Sequence, residues 1–578
     1  MKQRKVFGVR QQVMHPEKVE QFLNELCQNP PKNIAELEKR KRSFSAREKV
    51  PPILNRDLIM VSAGKDIPRA LGKLLQKRAV RTISGVSPIG ILTKPYPCPG
   101  RCVYCPTEAR MPKSYLSSQP AAARAVRNNF HPFRQVSGRI AALEDSGHPV
   151  SKLEVIVMGG TWSFLPHNYQ SWYLKKVFDA ANESNSQTTN YKPRTSKNLA
   201  EAQKINETAE HRVIGLTLET RPDFINEREL VRMRKYGCTR IEIGVQTLDD
   251  DVQKLTKRGH DRRHITRAMR LMRDFGFKIC WHLMPGLPGS TPQKDIAWMK
   301  KVFEDEDCKP DFIKIYPCQV LPNSELQDWW KEGKFGPLRD AELVKLLLRF
   351  KTFVPPWTRI MRLMRDIPVS EVLDGVKFSN LRQILKSQPE KLRQIVGNDF
   401  KPSPGGWICQ CIRCREVGFS SGGANSNSLL QEPVLVRRDY KASEGTEVFL
   451  SFETEDRAHL FALLRLRKPS GQKFSHFGSV LHDAGLIREV HSYGTEIAVG
   501  DSAGVGQHRG LGRRLIEEAE RIVRDEWGLK RITIIAGIGT REYYRKFGYE
   551  LRSTYMTKNL GKGLYNRLYK RLYKRNIF

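Results

Sequence analysis

The sequence predicts an α/β chain built around a parallel sheet of barrel or partial-barrel type. A basic helical region precedes it, and a second, mixed α/β unit follows it. Two observations carry the prediction. Between about residues 90 and 320, short apolar runs alternate with amphipathic stretches of helical period that stop at glycines. Beyond residue 430 the pattern becomes strand, strand, glycine-rich loop, helix and strand. A chain of 578 residues also exceeds what one hydrophobic core usually supports, so two to four domains are expected.

Residues 1–80 read as basic and helical, with ELEKRKRSFSAREK (Glu36 to Lys49) as a dense charge run. In the next region, 81–400, LEVIVMGG (Leu153 to Gly160) is a strand ending in a glycine pair, and VIGLTLETRPD from Val213 is another. NERELVRMRKYG is a helix stopped by Gly237, and TRIEIGVQ is the following strand. DRRHITRAMRLMRDFG is a helix ended by Gly276, with FKICWHLMPGLPG after it. TPQKDIAWMKKVFEDE is a helix with Pro292 near its start, and DFIKIYP is a further strand. Repeated βα units of this kind make a parallel sheet. A polar stretch from about Asn182 to Glu210 reads as a surface excursion. Residues 401–430 form a Pro/Gly/Ser-rich, cysteine-bearing linker, 431–560 the second α/β unit, and 561–578 a basic amphipathic tail. In that tail Tyr565, Leu568, Tyr569, Leu572 and Tyr573 share one helical face, which is expected to dock on the chain's own surface with the cations outward.

The net charge is +37, from 99 Lys and Arg against 62 Asp and Glu. So much like charge opposes the compact state by self-repulsion, and nucleic acid is the leading partner it implies. No run of about 18 uncharged apolar residues is present, and the N-terminus lacks the apolar core of a secretory signal. A cytoplasmic setting is expected, so the 11 cysteines read as metal ligands or core residues rather than a disulfide framework.

Three of those cysteines crowd into PYPCPGRCVYCP. Cys98, Cys102 and Cys105 have the spacing C-x3-C-x2-C, with Tyr104 before the last. Three thiolates on one loop can hold three irons of a cubane cluster and leave the fourth iron open. The competing reading, three of four zinc ligands, lacks a nearby fourth donor. The motif, at the start of βα repeats, resembles the radical S-adenosylmethionine (SAM) superfamily. That resemblance implies a [4Fe–4S] cluster on Cys98, Cys102 and Cys105, with SAM on the open iron and its methionine amino group received by Gly159 and Gly160.

Near the other end, VGQHRGLGRRLIEEAERI begins at Val505. Gln507, Gly510 and Gly512 form a glycine loop opening a long amphipathic helix, a natural anion site. Together with RITIIAGIGTREYYRKFGYE, it resembles the GCN5-related N-acetyltransferase (GNAT) fold. The resemblance implies acetyl-CoA, with its pyrophosphate at Gln507, Gly510, Leu511 and Gly512. It also implies a pairing strand at Glu489, Val490 and His491, and tyrosines near the thioester at Tyr543 and Tyr544.

The two halves together, with LETRPD, GCTRIEIGVQTL, KRGH and PPWTRIMRLMRDIP between them, resemble the Elongator-type tRNA uridine acetyltransferases over about residues 75 to 558. The short C-x3-C spacing departs from eukaryotic members and implies a prokaryotic type. The resemblance implies transfer of a two-carbon unit from acetyl-CoA to C5 of wobble uridine 34, giving a cm5U-type product, on the anticodon stem-loop of a tRNA. Lys152 matches a lysine associated with acetyl-CoA in the radical domain. Cys409, Cys411 and Cys414 match a structural zinc loop. Cys318 is the candidate fourth ligand, with a histidine or water equally open. Cys27, Cys238, Cys280 and Cys308 read as core or incidental. His282, Met284 and Gly286 end a strand, where His282 is either a satisfied core histidine or a cofactor contact. The competing function is a protein lysine acetyltransferase with a structural iron–sulfur domain. A stand-alone enzyme, a homodimer and accessory subunits all remain open.

Overall fold

The computed structural model describes residues 15–62, 65–76, 82, 84–183, 196–378, 380–386, 389–396, 409–417, 432–494 and 510–561. Gln507 and the amphipathic tail from 562 onward lie outside the described residues, as does most of the linker.

Seven strands form the first sheet: β1 (Val86–Leu92), β2 (Lys152–Met158), β3 (Arg212–Thr220), β4 (Arg240–Gln246), β5 (Lys278–Leu283), β6 (Phe312–Ile315) and β7 (Arg359–Arg362). They lie side by side in chain order, every neighbouring pair parallel. The sheet is therefore the expected partial barrel. Its outward residues, among them Val155, Val157, Ile241, Ile243 and Trp281, are buried in one large apolar core under the helices. Each such side chain contributes roughly 1.5–3 kcal/mol by leaving water. The helices start where the sequence supplies a cap. Asn226 accepts from Glu229 N–H to open Glu227–Lys235, and Asp261 accepts from His264 N–H to open Arg262–Asp274.

Four helices, Pro16–Gln28, Ile34–Glu48, Asn55–Val61 and Arg69–Leu75, make a separate small core around Phe22, Leu26, Leu37 and Phe44. The charge run makes up most of the second of these helices, which buries Leu37, Lys41, Phe44 and Ser45 and leaves most of its other charged residues outward. The polar stretch after Asn182 is only partly a surface excursion. Residues 184–195 are outside the described set, but Leu199–Asn206 is a helix, and its Asn206 is fully buried. The Asn206 amide donates to Asn182 (2.8 Å) and to the His211 carbonyl (3.0 Å) and accepts from Val213 N–H (2.8 Å), pinning the start of β3.

The second sheet holds β8 (Val434–Ala442), β9 (Gly445–Glu453), β10 (Leu460–Lys468), β11 (Ala484–Ser492), β12 (Arg531–Ile534), β13 (Glu550–Arg552) and β14 (Tyr555–Asn559). Its order is β13-β14-β12-β11-β10-β9-β8, antiparallel except for the parallel pair β11–β12. The helix Leu511–Arg521 lays Leu515, Ile516 and Ala519 on it.

The second sheet sits at the N-terminal ends of the first sheet's strands. A Cβ on Gly537 would stand 2.0 Å from the Ile214 carbonyl oxygen, so the two backbones touch there. Beside this contact lies a fully buried charge network. Arg488 donates to Asp311 through both terminal nitrogens (2.8 and 2.5 Å) and to Glu447 through Nε (3.1 Å). Arg273 and Arg467 each reach Glu447 Oε1 at 3.1 Å, and Arg467 Nε donates to Asp274 at 2.7 Å. Asp274 and Asp311 belong to the first unit, and Glu447, Arg467 and Arg488 to the second.

Candidate functional site

A cavity of about 1390 Å³ is lined by the cysteine loop, the inside of the half-barrel and β11 of the second sheet. Alternation along the strands builds its wall. On β2, Glu154, Ile156 and Met158 face inward while Leu153, Val155 and Val157 face the helices. On β4 the inward set is Arg240, Glu242, Gly244 and Gln246, and on β6 it is Phe312 and Lys314.

At the C-terminal end of the strands, β1 delivers the cysteine loop. Cys102 is 6% exposed, Cys98 and Cys105 are half-buried, and Tyr104 packs beside them in the loop. Gly100 N–H donates to Cys98 Sγ at 3.4 Å. The Cys102 thiol is held down to about 4: a hydrogen bond from Cys105 is the largest cause, opposed by burial and supported by the Arg258 guanidinium. Cys105, the donor of that bond, is pushed well up by it and by burial, so the loop favours one thiolate, at Cys102. Gly159 (φ 130) and Gly160 (φ 97) follow β2. A Cβ on Gly159 would stand 2.1 Å from Thr93 Oγ1, so that position admits no side chain, while Gly160 has open space and lines the cavity. Three thiols on one loop beside an open backbone turn fit a cubane cluster carrying an amino-acid ligand.

Midway, Glu242 gathers basic side chains. His282 Nε2 lies 2.8 Å from Glu242 Oε2, Lys314 Nζ donates to the same oxygen, and Arg240 Nε is 3.6 Å from Oε1. Burial would push Glu242 up, but Lys314, His282 and Arg240 outweigh it and hold the carboxyl well below its usual range. His282 is therefore a wall residue with a carboxylate partner, its ring edge-on to Tyr316 at 5.4 Å. Cys280 is a fully buried core residue, as expected, with its sulfur within 4.8 Å of ligand atoms of Glu242 and His282.

At the far end the second sheet closes the cavity. β11 and β12 pair from Ala484 to Ile487 and from Arg531 to Ile534, and among the described residues no strand pairs with the β12 side of β11 at Glu489, Val490 and His491. All three line the cavity, as does Tyr544. Gly510 takes φ 71 as the cap of Leu511–Arg521. A Cβ on Gly512 would lie 3.2 Å from the Tyr543 hydroxyl and 3.9 Å from Val490 Cγ1, so helix start, tyrosine and strand end converge. Tyr543 is 43% exposed, while Tyr544 is buried. Lys152 is the first residue of β2, the second strand of seven, and lies on the inward face at the end nearer the second sheet.

Cys409, Cys411 and Cys414 have their sulfurs within 4.8 Å of one another, a spacing suited to a single ion. Cys318 does not join them. It sits in the apolar cluster under the cysteine loop with Val103, Tyr104 and Leu326, its N–H bonded to the Pro285 carbonyl at 2.9 Å. The loop of Cys409 lies instead at the start of β7, where Ile412 N–H donates to the Thr358 carbonyl at 3.0 Å. Sequence reasoning gave no role to Arg221, Arg258, Glu242 or Lys314. The segments LETRPD and KRGH were its only pointers to the two arginines.

The sequence pattern of the Radical SAM superfamily matches residues 96–302, and that of the Radical SAM C-terminal domain matches 310–391. A tRNA uridine(34) acetyltransferase of Dehalococcoides mccartyi is 43% identical over 494 residues, 84% of this chain and 100% of the relative. A protein of the same name from Methanocaldococcus infernus is 42% identical, covering 87% of this chain and 91% of its own. Human Elongator complex protein 3 is 38% identical over 84% of this chain and 86% of its own. The solved structure of M. infernus Elp3 lacking its N-terminus superposes with a TM-score of 0.69 at 39% identity, over 83% of this chain and all of that one. Among the described residues no helix is long and apolar enough to cross a membrane.

Proposed function

We propose, for a chain that belongs to the tRNA uridine(34) acetyltransferase family of radical SAM enzymes, that it uses acetyl-CoA to place a carboxymethyl-type group on C5 of the wobble uridine of tRNA. The observation that carries this reading is the shared cavity. The cysteine loop and the β11 strand end line one space, so two chemistries of different origin face one substrate.

Cys98, Cys102 and Cys105 would hold a [4Fe–4S] cluster, and Gly159 and Gly160 the amino-acid end of SAM. Bound there, the pair supplies the one-electron chemistry that opens an inert C–H bond such as that of an acetyl methyl. The protein's part is placement. Gly510, Leu511 and Gly512 offer backbone N–H groups at a helix start for a pyrophosphate. The unpaired edge of Glu489, Val490 and His491 offers strand-type bonds to the amides of an extended pantetheine arm. Tyr543 and Tyr544 stand where that arm would end, and Lys152 lies toward the same end of the barrel. The uridine must leave its stack, which costs little in a single-stranded anticodon loop. The basic surface, including the N-terminal helices, would hold the phosphates. Cys409, Cys411 and Cys414 would hold a structural zinc ion that stiffens the connection between the two units. A lysine acetyltransferase would need only the second sheet and would leave the half-barrel interior without a task.

The test is substrate coupling. Purified anaerobic protein should consume acetyl-CoA only when tRNA is present. Consumption driven by lysine-bearing peptides and indifferent to tRNA would overturn the proposal.

A further inference from the structure

LETRPD and KRGH place two arginines against the cysteine loop. Arg221 is 6% exposed. Asp223 accepts from its Nε and Nη2, both at 2.9 Å. Its Nη1 is buried and has no hydrogen-bond partner among the described residues. That nitrogen lies over the loop: a Cβ built on Gly100 would stand 2.6 Å from it and 3.6 Å from both Cys98 Sγ and Cys102 Sγ. Arg258, 7% exposed, donates Nη1 to Cys102 Sγ at 3.3 Å and Nη2 to the Gly244 carbonyl at 2.5 Å. Glycines make the room. A Cβ on Gly244 would meet Arg258 Nη2 at 2.5 Å, and one on Gly259 would meet Arg221 Nη2 at 3.0 Å. A buried guanidinium with an unspent donor is costly unless an anion arrives.

We propose that Arg221 and Arg258 form a cationic wall of the cluster site, Arg258 holding the Cys102 thiolate and Arg221 presenting its unspent Nη1 to an anion on the Cys98 side. The proposal rests on the reading of Cys98, Cys102 and Cys105 as cluster ligands. Adding an electron to a thiolate-ligated cluster adds negative charge beside two buried cations, and hydrogen bonds to the sulfurs favour the reduced form. The wall therefore makes the cluster easier to reduce. The anion at Arg221 is either a sulfur of the cluster or the carboxylate of the amino-acid ligand on the open iron, which share the capacity to accept one N–H.

The test uses full-length, anaerobically reconstituted protein as parent, R258Q, R258K, R221Q and R221K, with iron content measured first. Midpoint potentials are read by titration followed by electron paramagnetic resonance, with and without SAM. R258Q should lower the reduced-to-oxidised ratio at fixed potential at least tenfold, about 59 mV for one electron, while R258K stays within threefold. R221Q should shift the midpoint without SAM if the anion is a cluster sulfur. If the anion is the carboxylate, R221Q should instead keep the midpoint and weaken SAM binding at least tenfold, with R221K intermediate. Parent iron content with unmoved midpoints and unmoved SAM affinity in both Gln variants would overturn the wall. If R258Q takes up no iron, R258K decides: a cation there should restore loading, and a K variant equally empty would overturn the charge argument. Iron surviving the triple cysteine substitution would instead sink the cluster reading itself.

Discussion

Replacing Arg488 by methionine should loosen the junction between the two sheets, because it takes both guanidinium hydrogen bonds from the buried Asp311 and one of three arginine partners from Glu447. In the parent, Asp311 takes two guanidinium bonds from Arg488 and the Ile279 N–H at 2.9 Å, while Glu447 takes a third bond from Arg488. All three charged residues are at most 1% exposed. Removing one partner of a buried pair costs about 3–5 kcal/mol, and here the cost falls on Asp311, left with the Ile279 N–H and with Arg465 at 3.6 Å, while Glu447 keeps Arg273 and Arg467. Opening of the junction should then become easier by that amount, which at 1.4 kcal/mol per decade is roughly 100-fold or more in exchange rate. Hydrogen exchange followed by mass spectrometry on peptides covering β5 and β11 reads this directly. The sign with pH follows from the same groups. Burial would push Asp311 and Glu447 up, but the arginines hold both below their ordinary values. A depressed carboxylate contributes stability that is present above its unfolded pKa, about 3.9 for Asp and 4.3 for Glu, and lost as pH falls toward the folded value. The parent junction should therefore loosen as pH falls below about 4, and R488M should show a shallower loss. Adding D311N to R488M should recover part of the deficit. Exchange within threefold of the parent, with an unchanged acid limb, would refute the reasoning.

Three further outcomes are expected. Substituting Cys98, Cys102 and Cys105 together by alanine should abolish the iron signal and leave acetyl-CoA binding within twofold by calorimetry. G510D should weaken acetyl-CoA binding at least tenfold, because it sets a carboxylate at an anion site and a side chain at φ 71; an affinity equal to the parent's would exclude the site. Replacing Cys409, Cys411 and Cys414 by serine should remove about one equivalent of zinc by elemental analysis and lower the melting temperature, while the iron content stays.

The legible parts of the fold were those where pattern and environment agree. Helices with one apolar face and a glycine stop, such as Arg262–Asp274, were read to within a few residues. β1 and β7 were not read as strands, for identifiable reasons. β1 (VSPIGIL) carries Pro88 and Gly90, which weaken a strand signal. β7 is four residues with two arginines, because this barrel's interior is a polar cavity rather than a packed core. The same polarity hid Glu242 and Lys314, whose roles depend on strands distant in sequence meeting face to face. Cys318 was paired with Cys409 by chemistry alone, since spacing along a chain does not report distance. They lie at opposite ends of the sheet, Cys318 beyond β6 and the Cys409 loop at the start of β7. The motif cysteines and glycine turns were legible because loop chemistry is local. The convergence of the cysteine loop and the β11 strand end on one cavity was not.

That convergence is tested by mixing two dead variants. The parent, given acetyl-CoA labelled with carbon-13 at both acetyl carbons, SAM, a reductant and tRNA, should yield wobble uridine carrying both labelled carbons, seen by mass spectrometry of the nucleosides. The triple cysteine variant and G510D should each yield none. If both chemistries act within one chain's cavity, an equal mixture of the two variants should also yield none. Labelled wobble uridine from the mixture at a level near the parent's would contradict the account.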